Sequence, residues 1–524
     1  MSALSKFSKD ATRRYLQSVV FVDDNIFNQK TGMPELPVDM PPKRKLVYRR
    51  SGTPSTPSNA SAAPDEIDTV EPLYHPKDLV SSFAKEGITC ALYEPSEGFG
   101  TNPESEMFKL CERPDIIILD WDFWNDKGAK ALDLISALVK QSTSDFPHHT
   151  RLISIYTADQ SLLAVANSIA DRLKKDGLEA TPIEVSYRLQ SKATRLVILG
   201  KPKARFGEEE VRFTVKESNL AATLIDEFVK MNAGILPSYA LHGLAAIRNN
   251  SKRILDRFHG DLDGAFLLHR ELVSKSEEAF DQLPELLAEE MRAVVEDESL
   301  SAGYAKKLAA AALKHSHILP KDKEWIVSSK QGMRSDRVAH KIRETGSVPI
   351  GHLRLAALFS SRTQYSSALR RLTFGTVVRF RAKYSKAKKT PWQYAVCLVP
   401  ECDSLRLQKT TQLPFWTIER EAYKDGARRN GMVLALGKDC VSLSASGKAG
   451  DKLWTDSFAV DSKTNTIVAV RKAGVYKYLG AKRNIEWYGQ LKPLHAHRIA
   501  HEITDALSRI GVSEAEWLRL LCDR

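Results

Sequence analysis

The residues of this chain whose types could carry out chemistry follow four short apolar segments. In chain order they are Asp23-Asp24 after Ser18-Val-Val-Phe-Val22, Asp120 after Ile116-Ile-Ile-Leu119, Thr157 after Leu152-Ile-Ser-Ile-Tyr156, and Lys201-Pro202 after Arg195-Leu-Val-Ile-Leu199 and Gly200. Carboxylates can act as nucleophiles or hold a hard divalent cation such as Mg²⁺. A lysine adds a compact positive charge, and a hydroxyl adds a hydrogen-bonding group.

The apolar segments are the elements that must position these groups. Ile116 to Leu119 is a continuous apolar run, which is typical of a strand covered on both faces of a parallel sheet. The carboxyl ends of parallel strands meet at one edge of an open α/β sheet, where ligands bind. For a single isolated strand, an acid such as Asp120 is more often a helix N-cap or a turn residue. Four polar strand ends in this order favour a functional site instead.

This ordered set resembles the receiver domain of two-component response regulators, which implies an α/β domain with a doubly wound parallel sheet. The resemblance implies that Asp120 accepts a phosphoryl group from a histidine kinase or a histidine-kinase-like ATPase. It also implies that Asp23, Asp24 and Asp120 hold Mg²⁺, whose charge screens the incoming phosphoryl oxygens. Lys201 would then contact the phosphoryl group, and Thr157 would hydrogen-bond it after transfer.

Two features depart from the receiver pattern. Asp122 stands two residues past Asp120, where receivers lend a backbone carbonyl to the metal. Asp122 could provide that carbonyl or add a second carboxylate to the metal site. From about residue 27 to 73 the chain is rich in Pro, Ser, Thr and Ala, which predicts a mostly disordered insertion beside the site. The insertion is either a solvated segment or a lid or docking arm for a partner.

Composition limits the class of protein. At 524 residues the chain is too long for one core, so two to four domains are expected. Six Cys at irregular spacing, without a CxxC pair, argue against a disulfide framework or a zinc ribbon. No apolar run is long enough for a membrane span or a signal peptide, so we expect a cytoplasmic protein. The net charge of +12 suits an acidic partner, either nucleic acid or protein.

The pattern of elements predicts three domains. Residues 1–233 form the receiver-like domain with its insertion. Residues 235–346 carry helical periodicity and are expected to be a linker and packing domain, which could also offer a homodimer face. Residues 347–524 alternate short apolar segments with turns, which predicts a β-rich, small-barrel-like output domain with closing helices.

A basic segment lies at the start of the predicted β-rich domain. Between Arg362 and Lys389 the sequence contains nine Lys or Arg residues and no acid, and aromatic residues interleave with them. A basic run is usually a solvated face, but interleaved aromatic residues on a small barrel favour nucleic-acid binding. The residues predicted to contact nucleic acid are Arg379, Arg381, Lys383, Lys386, Lys388 and Lys389.

Two further groups could have a chemical role. Cys402-Asp403 could be a thiolate nucleophile or a metal pair, although a turn beside a buried Cys is the simpler interpretation. His497 and His501 share a helix face at i,i+4, but no Glu lies between them as the HExxH zinc motif requires.

The sequence therefore predicts a multidomain signalling protein in which phosphorylation of Asp120 controls a C-terminal output module. Receivers fused to unfamiliar output regions often belong to specialised bacterial systems, and phage defence is one such setting. An alternative is an enzyme, a nuclease or other hydrolase centred on Cys402-Asp403 and the basic loop. A further alternative is a scaffold that uses the receiver fold without phosphorylation.

Overall fold

A computed structural model gives the fold. It describes residues 3–27, 75–144, 150–159, 161–191, 193–202, 204, 206–272, 276–298, 350–364, 368–382, 391–404, 407, 410–420, 431–436, 439–445, 452–462 and 465–508. Residues 28–74, which hold the predicted insertion, and the lysines Lys383, Lys386, Lys388 and Lys389 lie outside this described part.

The chain divides into two compact units. One consists of Met1–His259 with Leu286–Ile318, and the other of Gly260–Glu285 with Leu319–Arg524. The finer division into domains at 1–233, 235–346 and 347–524 stays a prediction. Within the described ranges, no helix is both long enough and apolar enough to cross a membrane.

The described part of the first unit contains a seven-stranded sheet. Its strands are β1 Ser18–Val22, β2 Thr89–Tyr93, β3 Ile116–Leu119, β4 Arg151–Thr157, β5 Thr181–Ile183, β6 Val185–Ser191 and β7 Thr194–Gly200. They lie in the order β2-β1-β3-β4-β7-β6-β5, and the first five are parallel. The predicted parallel α/β sheet is therefore confirmed, and the four strands with polar ends lie side by side as β1-β3-β4-β7.

Helices cover both faces of this sheet. They are α1 Ala3–Tyr15, α2 Pro76–Lys85, α3 Glu106–Glu112, α4 Ala129–Ser144, α5 Leu162–Lys175, α6 Glu208–Val211, α7 Glu217–Met231, α8 Ile235–Asn249 and α9 Ser251–Arg257. Because alternate strand residues point to opposite faces, Ile117 and Leu119 pack with α3, α4 and α5, whereas Ile116 and Ile118 pack with α1, α2 and α7. This double cover explains why the β3 sequence is apolar at every position.

The edge of the sheet beyond β7 is extended by an antiparallel hairpin. Strand β6 pairs with β7, and β5 pairs with β6. The hairpin brings charge into the interior, since Arg188 of β6 and Arg195 of β7 both bind Glu227 of α7 at 3.1 and 2.8 Å. All three side chains are buried, so the network ties the extra strands to the closing helix of the receiver region.

The start of the predicted helical linker packs against the first unit. The Ser238 hydroxyl of α8 hydrogen-bonds the Ser8 hydroxyl of α1 at 2.8 Å in a buried contact. Arg248, at the end of α8, binds Asp115 at 2.9 Å, at the amino-terminal edge of the sheet. Asp115 also accepts the backbone N–H groups of Gln17 and Ser18, so one carboxylate connects α8 to the entrance of β1.

The second unit is β-rich, as the sequence predicted. Its strands are β8 Thr376–Ala382, β9 Gln393–Cys397, β10 Thr410–Arg420, β11 Gly431–Leu436, β12 Asp439–Ser444, β13 Leu453–Ala459, β14 Val470–Lys472, β15 Val475–Lys477 and β16 Arg483–Gln490. The described helices that remain are α10 Asp263–Leu272, α11 Ser276–Asp297, which contributes residues to both units, α12 Ile350–Ser360, α13 Glu401–Ser404 and α14 Pro493–Ser508.

The nine described strands of this unit form one antiparallel sheet. The order is β11-β12-β10-β9-β8-β16-β15-β14, with β13 paired alongside β10. Its two faces have separate cores, because Val378 and Phe380 point into one and Val377 into the other. Helix α14 covers the second face through Ile499, among other residues.

The buried network around Glu227 generates a stability prediction. Burial alone would raise the pKa of Glu227, but Arg188, Lys230 and Arg195 lower it, so the folded protein favours the carboxylate at neutral pH. Glu227→Gln leaves the buried Arg188 without this counter-charge and leaves Arg195 only the half-exposed Glu184 at 3.6 Å, which should cost about 3–5 kcal/mol of local stability. Hydrogen exchange should show the loss as faster exchange in β6, β7 and α7.

The matched control is Asp226→Asn on the same helix. Asp226 pairs with Lys9 at 2.7 Å, but its side chain is 52% exposed, so its removal should cost less than about 1 kcal/mol. Equal exchange rates in Glu227→Gln and in the control would contradict a stabilising role for the buried network.

Candidate functional site

The predicted site residues converge at one edge of the N-terminal sheet. Strands β1, β3, β4 and β7 all end there, since they are parallel neighbours, and the residues after or at their ends are Asp23-Asp24, Asp120, Thr157 and Lys201. All five side chains are buried. Each of these strands is a short apolar run, so the backbone leaves the sheet directly after the last packed side chain. The polar residue that comes next therefore lies at the edge of the sheet.

Lys201 joins two of the carboxylates. Its Nζ donates to Oδ2 of Asp23 at 2.8 Å and to Oδ1 of Asp120 at 3.0 Å. The backbone adds rigidity, since the Lys201 N–H donates to the Thr157 carbonyl at 2.7 Å and the Asp120 N–H to the Val22 carbonyl at 2.9 Å. Hydrogen bonds of its backbone N–H and of its Nζ thus hold Lys201 next to the two acids.

Asp23, Asp24 and Asp120 form a group that fits a divalent cation. One carboxylate oxygen from each lies within 4.8 Å of the others. Hard cations such as Mg²⁺ prefer oxygen ligands, and a site of a few carboxylates leaves room for water and phosphate oxygens. With a single lysine among three buried acids, the group carries an excess of negative charge, which a cation would offset.

Burial governs the protonation of this group. It raises the pKa of Asp120 to about 7, with Lys201 acting in the opposite direction and Asp23 adding to the rise. Burial likewise raises the pKa of Asp24, although the Trp124 N–H lowers it in part. Burial would lower the pKa of Lys201, but Asp120 and Asp23 outweigh burial and raise it, so the ammonium is favoured. The Asp120 carboxylate is therefore expected to take up a proton close to physiological pH.

Thr157 ends β4 next to the acidic group. Its hydroxyl accepts the N–H of Asp159 at 3.0 Å, an arrangement that fixes the turn after the strand. A role of this hydroxyl toward a phosphoryl group, as the receiver resemblance implies, stays a prediction.

Asp122 does not join the carboxylate group of Asp23, Asp24 and Asp120 among the described residues. Its carboxylate accepts the Lys127 N–H at 2.7 Å and so stabilises the loop between β3 and α4. The option of a second metal-binding carboxylate therefore has no geometric support. A backbone carbonyl contribution from Asp122 stays a prediction.

The loop after Asp120 has an unusual backbone. Four residues have positive φ, namely Trp124 at 50°, Asn125 at 58°, Lys127 at 56° and Gly128 at 86°. Such conformations cost roughly 1–2 kcal/mol for each non-glycine residue. The Trp124 N–H donates to Oδ2 of Asp24 at 2.8 Å, so the acidic group itself holds the loop. Residue types alone do not predict this contact, because it depends on the local backbone conformation.

The predicted nucleic-acid residues are only partly within the described chain. Arg379 and Arg381 lie on β8, and their guanidinium carbons are 4.6 and 4.5 Å from the centre of the Trp392 ring. Arg379 also binds Glu486 of β16 at 2.7 Å. The pairing of Glu486 with Arg379 is not visible in the sequence, because β8 and β16 are separated by about a hundred residues. The aromatic residues close to the basic run, in contrast, did indicate Trp392.

The other two groups do not form a site among the described residues. Cys402-Asp403 lies in the one-turn helix α13, where Asp403 is exposed and the Cys402 side chain is outside the described part. His497 and His501 are exposed on α14, and the His497 ring packs 4.7 Å from the ring of Phe374. Neither histidine belongs to a group of potential metal ligands within the described ranges.

The raised pKa of Asp120 predicts how pH affects stability. An acid whose folded pKa lies near 7 destabilises the fold progressively as pH rises from about 4 to 7, and fully above that range. Asp120→Asn removes this penalty while Lys201 keeps Asp23. We therefore expect the variant to melt at a higher temperature than the wild type at pH 8, and with a smaller difference at pH 5.

Thermal unfolding at both pH values measures this difference. Asp133→Asn is the control, because Asp133 is a largely exposed acid of α4 paired with Arg172. A gain for Asp120→Asn that is equal at pH 5 and pH 8 would contradict the electrostatic origin.

Comparison with known proteins identifies the first part of the chain. Residues 15–206 match the family model described as a response receiver domain, a span of less than half of the 524 residues. No curated protein and no solved structure matches the chain. Receivers act in two-component signalling, interact with histidine kinases and typically bind Mg²⁺ at an acidic cluster, and the group of Asp23, Asp24 and Asp120 fits that description. The segment 15–206 is therefore identified as a receiver domain, and a domain of this kind supports a place for the chain in response-regulator-like signalling.

Proposed function

We propose that this protein accepts a phosphoryl group on Asp120 from a histidine kinase and uses the change to control its C-terminal unit. The observation that carries the proposal is the position of Lys201 between Asp23 and Asp120 in a buried group of three acids. A nucleophilic carboxylate, a set of cation ligands and a fixed positive charge are the parts that transfer to an aspartate requires.

Each side chain has a distinct part in the proposed transfer. Lys201 holds Oδ1 of Asp120, so Oδ2 is the oxygen that attacks phosphorus, while the bond between phosphorus and the donor atom breaks. A bound Mg²⁺ would supply charge that screens the phosphoryl oxygens. The Lys201 ammonium would then bind the phosphoryl oxygens in place of the Asp120 carboxylate. The Thr157 hydroxyl, which accepts the Asp159 N–H, would donate its proton to a phosphoryl oxygen.

The loop between β3 and α4 is the element through which the site would signal. It is strained, and one of its hydrogen bonds goes to Asp24 of the acidic group. Trp124 of this loop packs 6.0 Å from Phe99, which precedes α3, so a change at Asp24 would reach a second loop. A switch needs such an element whose two arrangements are close in energy.

The remaining hypotheses from the sequence stay predictions. They are a nuclease or hydrolase centred on Cys402-Asp403, a scaffold without phosphorylation, a homodimer, a cytoplasmic location and a setting in bacterial phage defence. Nucleic-acid binding also stays a proposal, and for it the C-terminal sheet offers a specific surface.

Phosphorylation makes the first prediction of this proposal. A small acyl phosphate with Mg²⁺ should add one phosphoryl group to the wild type, and Asp120→Asn should abolish the addition. Intact-protein mass spectrometry measures both. Asp122→Asn is the matched control, because it removes a neighbouring acid and should leave the addition intact. Addition that survives Asp120→Asn would place the acceptor elsewhere, and an unmodified wild type would favour the scaffold.

Cation binding makes the second prediction. Mg²⁺ should change the tryptophan fluorescence of the wild type, since Asp24 contacts the backbone of Trp124. The double variant Asp23→Asn, Asp24→Asn should lose this response, because two of the three carboxylates are gone. Asp122→Asn should keep it if Asp122 offers only its backbone. An equal response in the wild type and the double variant would refute the metal site.

A further inference from the structure

Two arginines stack on one tryptophan at the surface of the C-terminal sheet. The guanidinium groups of Arg379 and Arg381 lie 4.6 and 4.5 Å from the Trp392 ring centre, and the Tyr394 and Tyr488 rings lie 4.9 Å apart beside them. We call these five residues the Arg–aromatic patch. Register explains the cluster, since Arg379 is opposite Tyr394 on β9 and opposite Glu486 on β16.

The patch lies where the core of this face of the sheet meets solvent. Its rings are partly exposed, Arg381 is exposed, and Arg381 has no ion-pair partner among the described residues. On the same face of β8 the apolar core ends at Val377, so the strand passes from core into solvent along its length. Tyr394 and Tyr488 pack against the core of this face on one side, whereas Arg381 extends beside the partly exposed Trp392 ring into solvent.

We propose that the Arg–aromatic patch binds single-stranded nucleic acid. A guanidinium that lies on an indole ring keeps its N–H donors free for phosphate oxygens, and its side chain is already ordered. Rings and stacked guanidinium planes also offer flat surfaces on which unpaired bases stack. A duplex hides its bases in its own stack, so the aromatic residues favour a single strand.

The sequence between the two strands supports the same ligand. Strands β8 and β9 are joined by a segment that contains Lys383, Lys386, Lys388 and Lys389 and no acid. These four lysines add positive charge close in sequence to Arg381, and positive charge favours a polyanionic ligand. This proposal concerns the C-terminal unit alone, so it does not depend on phosphorylation of Asp120.

Glu486 limits how tightly the Arg–aromatic patch can bind a phosphate. Its carboxylate is 2.7 Å from Arg379 and 3.5 Å from Lys477, and it is buried. A phosphate that approaches Arg379 must compete with this charge. Glu486→Gln keeps the shape and removes the charge, so the variant should bind nucleic acid more tightly than the wild type.

Fluorescence anisotropy with a labelled single-stranded oligonucleotide of mixed sequence tests the proposal on the full chain. Trp392→Ala should weaken binding about 5- to 150-fold, the equivalent of one lost base stack. Arg381→Ala should weaken binding and lower the salt slope by about 0.7, the value of one phosphate contact. Arg113→Ala, which removes one exposed arginine from the other unit, should change neither quantity.

Glu486→Gln is expected to tighten binding, whereas the other two patch variants are expected to weaken it. Misfolding would weaken binding, so it cannot explain a gain. Binding should tighten about two- to fivefold, the equivalent of one ion pair whose cation, the 29% exposed Arg379, is reached by solvent. No binding by the wild type, or equal binding by all four variants, would overturn the proposal. Polyglutamate that binds as tightly as the oligonucleotide, with no dependence on Trp392, would overturn it in favour of an acidic protein partner.

Discussion

The two ion pairs of Lys201 with Asp23 and Asp120 are the interaction on which the functional edge depends. Three carboxylates are buried together there, and repulsion between them is offset by one lysine. Burial, with a further contribution from Asp23, raises the pKa of Asp120 to about 7, and the excess of negative charge gives the group a net attraction for cations. The expected binding of Mg²⁺ follows from this excess charge, and an anionic phosphoryl donor could approach only where a bound cation offsets it.

Hydrogen bonds from backbone N–H groups offset part of the free-energy cost of burying these acids. Asp23 accepts the Asn25 N–H at 2.9 Å, and Asp24 accepts the Trp124 N–H at 2.8 Å. The second bond has a structural consequence, because it holds a loop whose φ angles are positive at four positions. Trp121 of that loop packs directly on Gly128, where a Cβ atom would lie 2.3 Å from the ring, so only glycine fits there. The acidic group and the strained loop are therefore one structural unit.

The sheet of the C-terminal unit has an apolar core on each face. Val377 and Val378 point into opposite cores, and only farther along β8 does one face reach solvent at Arg381. Buried charge recurs in both units, with Glu227 between two arginines in the first and Glu486 beside Arg379 in the second. In each case a buried carboxylate holds the guanidinium of an arginine in place.

The sequence by itself determined the strands of the receiver domain and the residues at their ends. This was possible because each polar residue directly follows a continuous apolar run, so local periodicity indicates both the strand and its functional end. Tertiary structure alone decided the bond between Asp24 and the Trp124 backbone, the separation of Asp122 from the acidic group, and the pairing of Glu486 with Arg379. The first two depend on backbone angles after β3, which side-chain types do not specify, and the third depends on strand register between residues far apart in the chain.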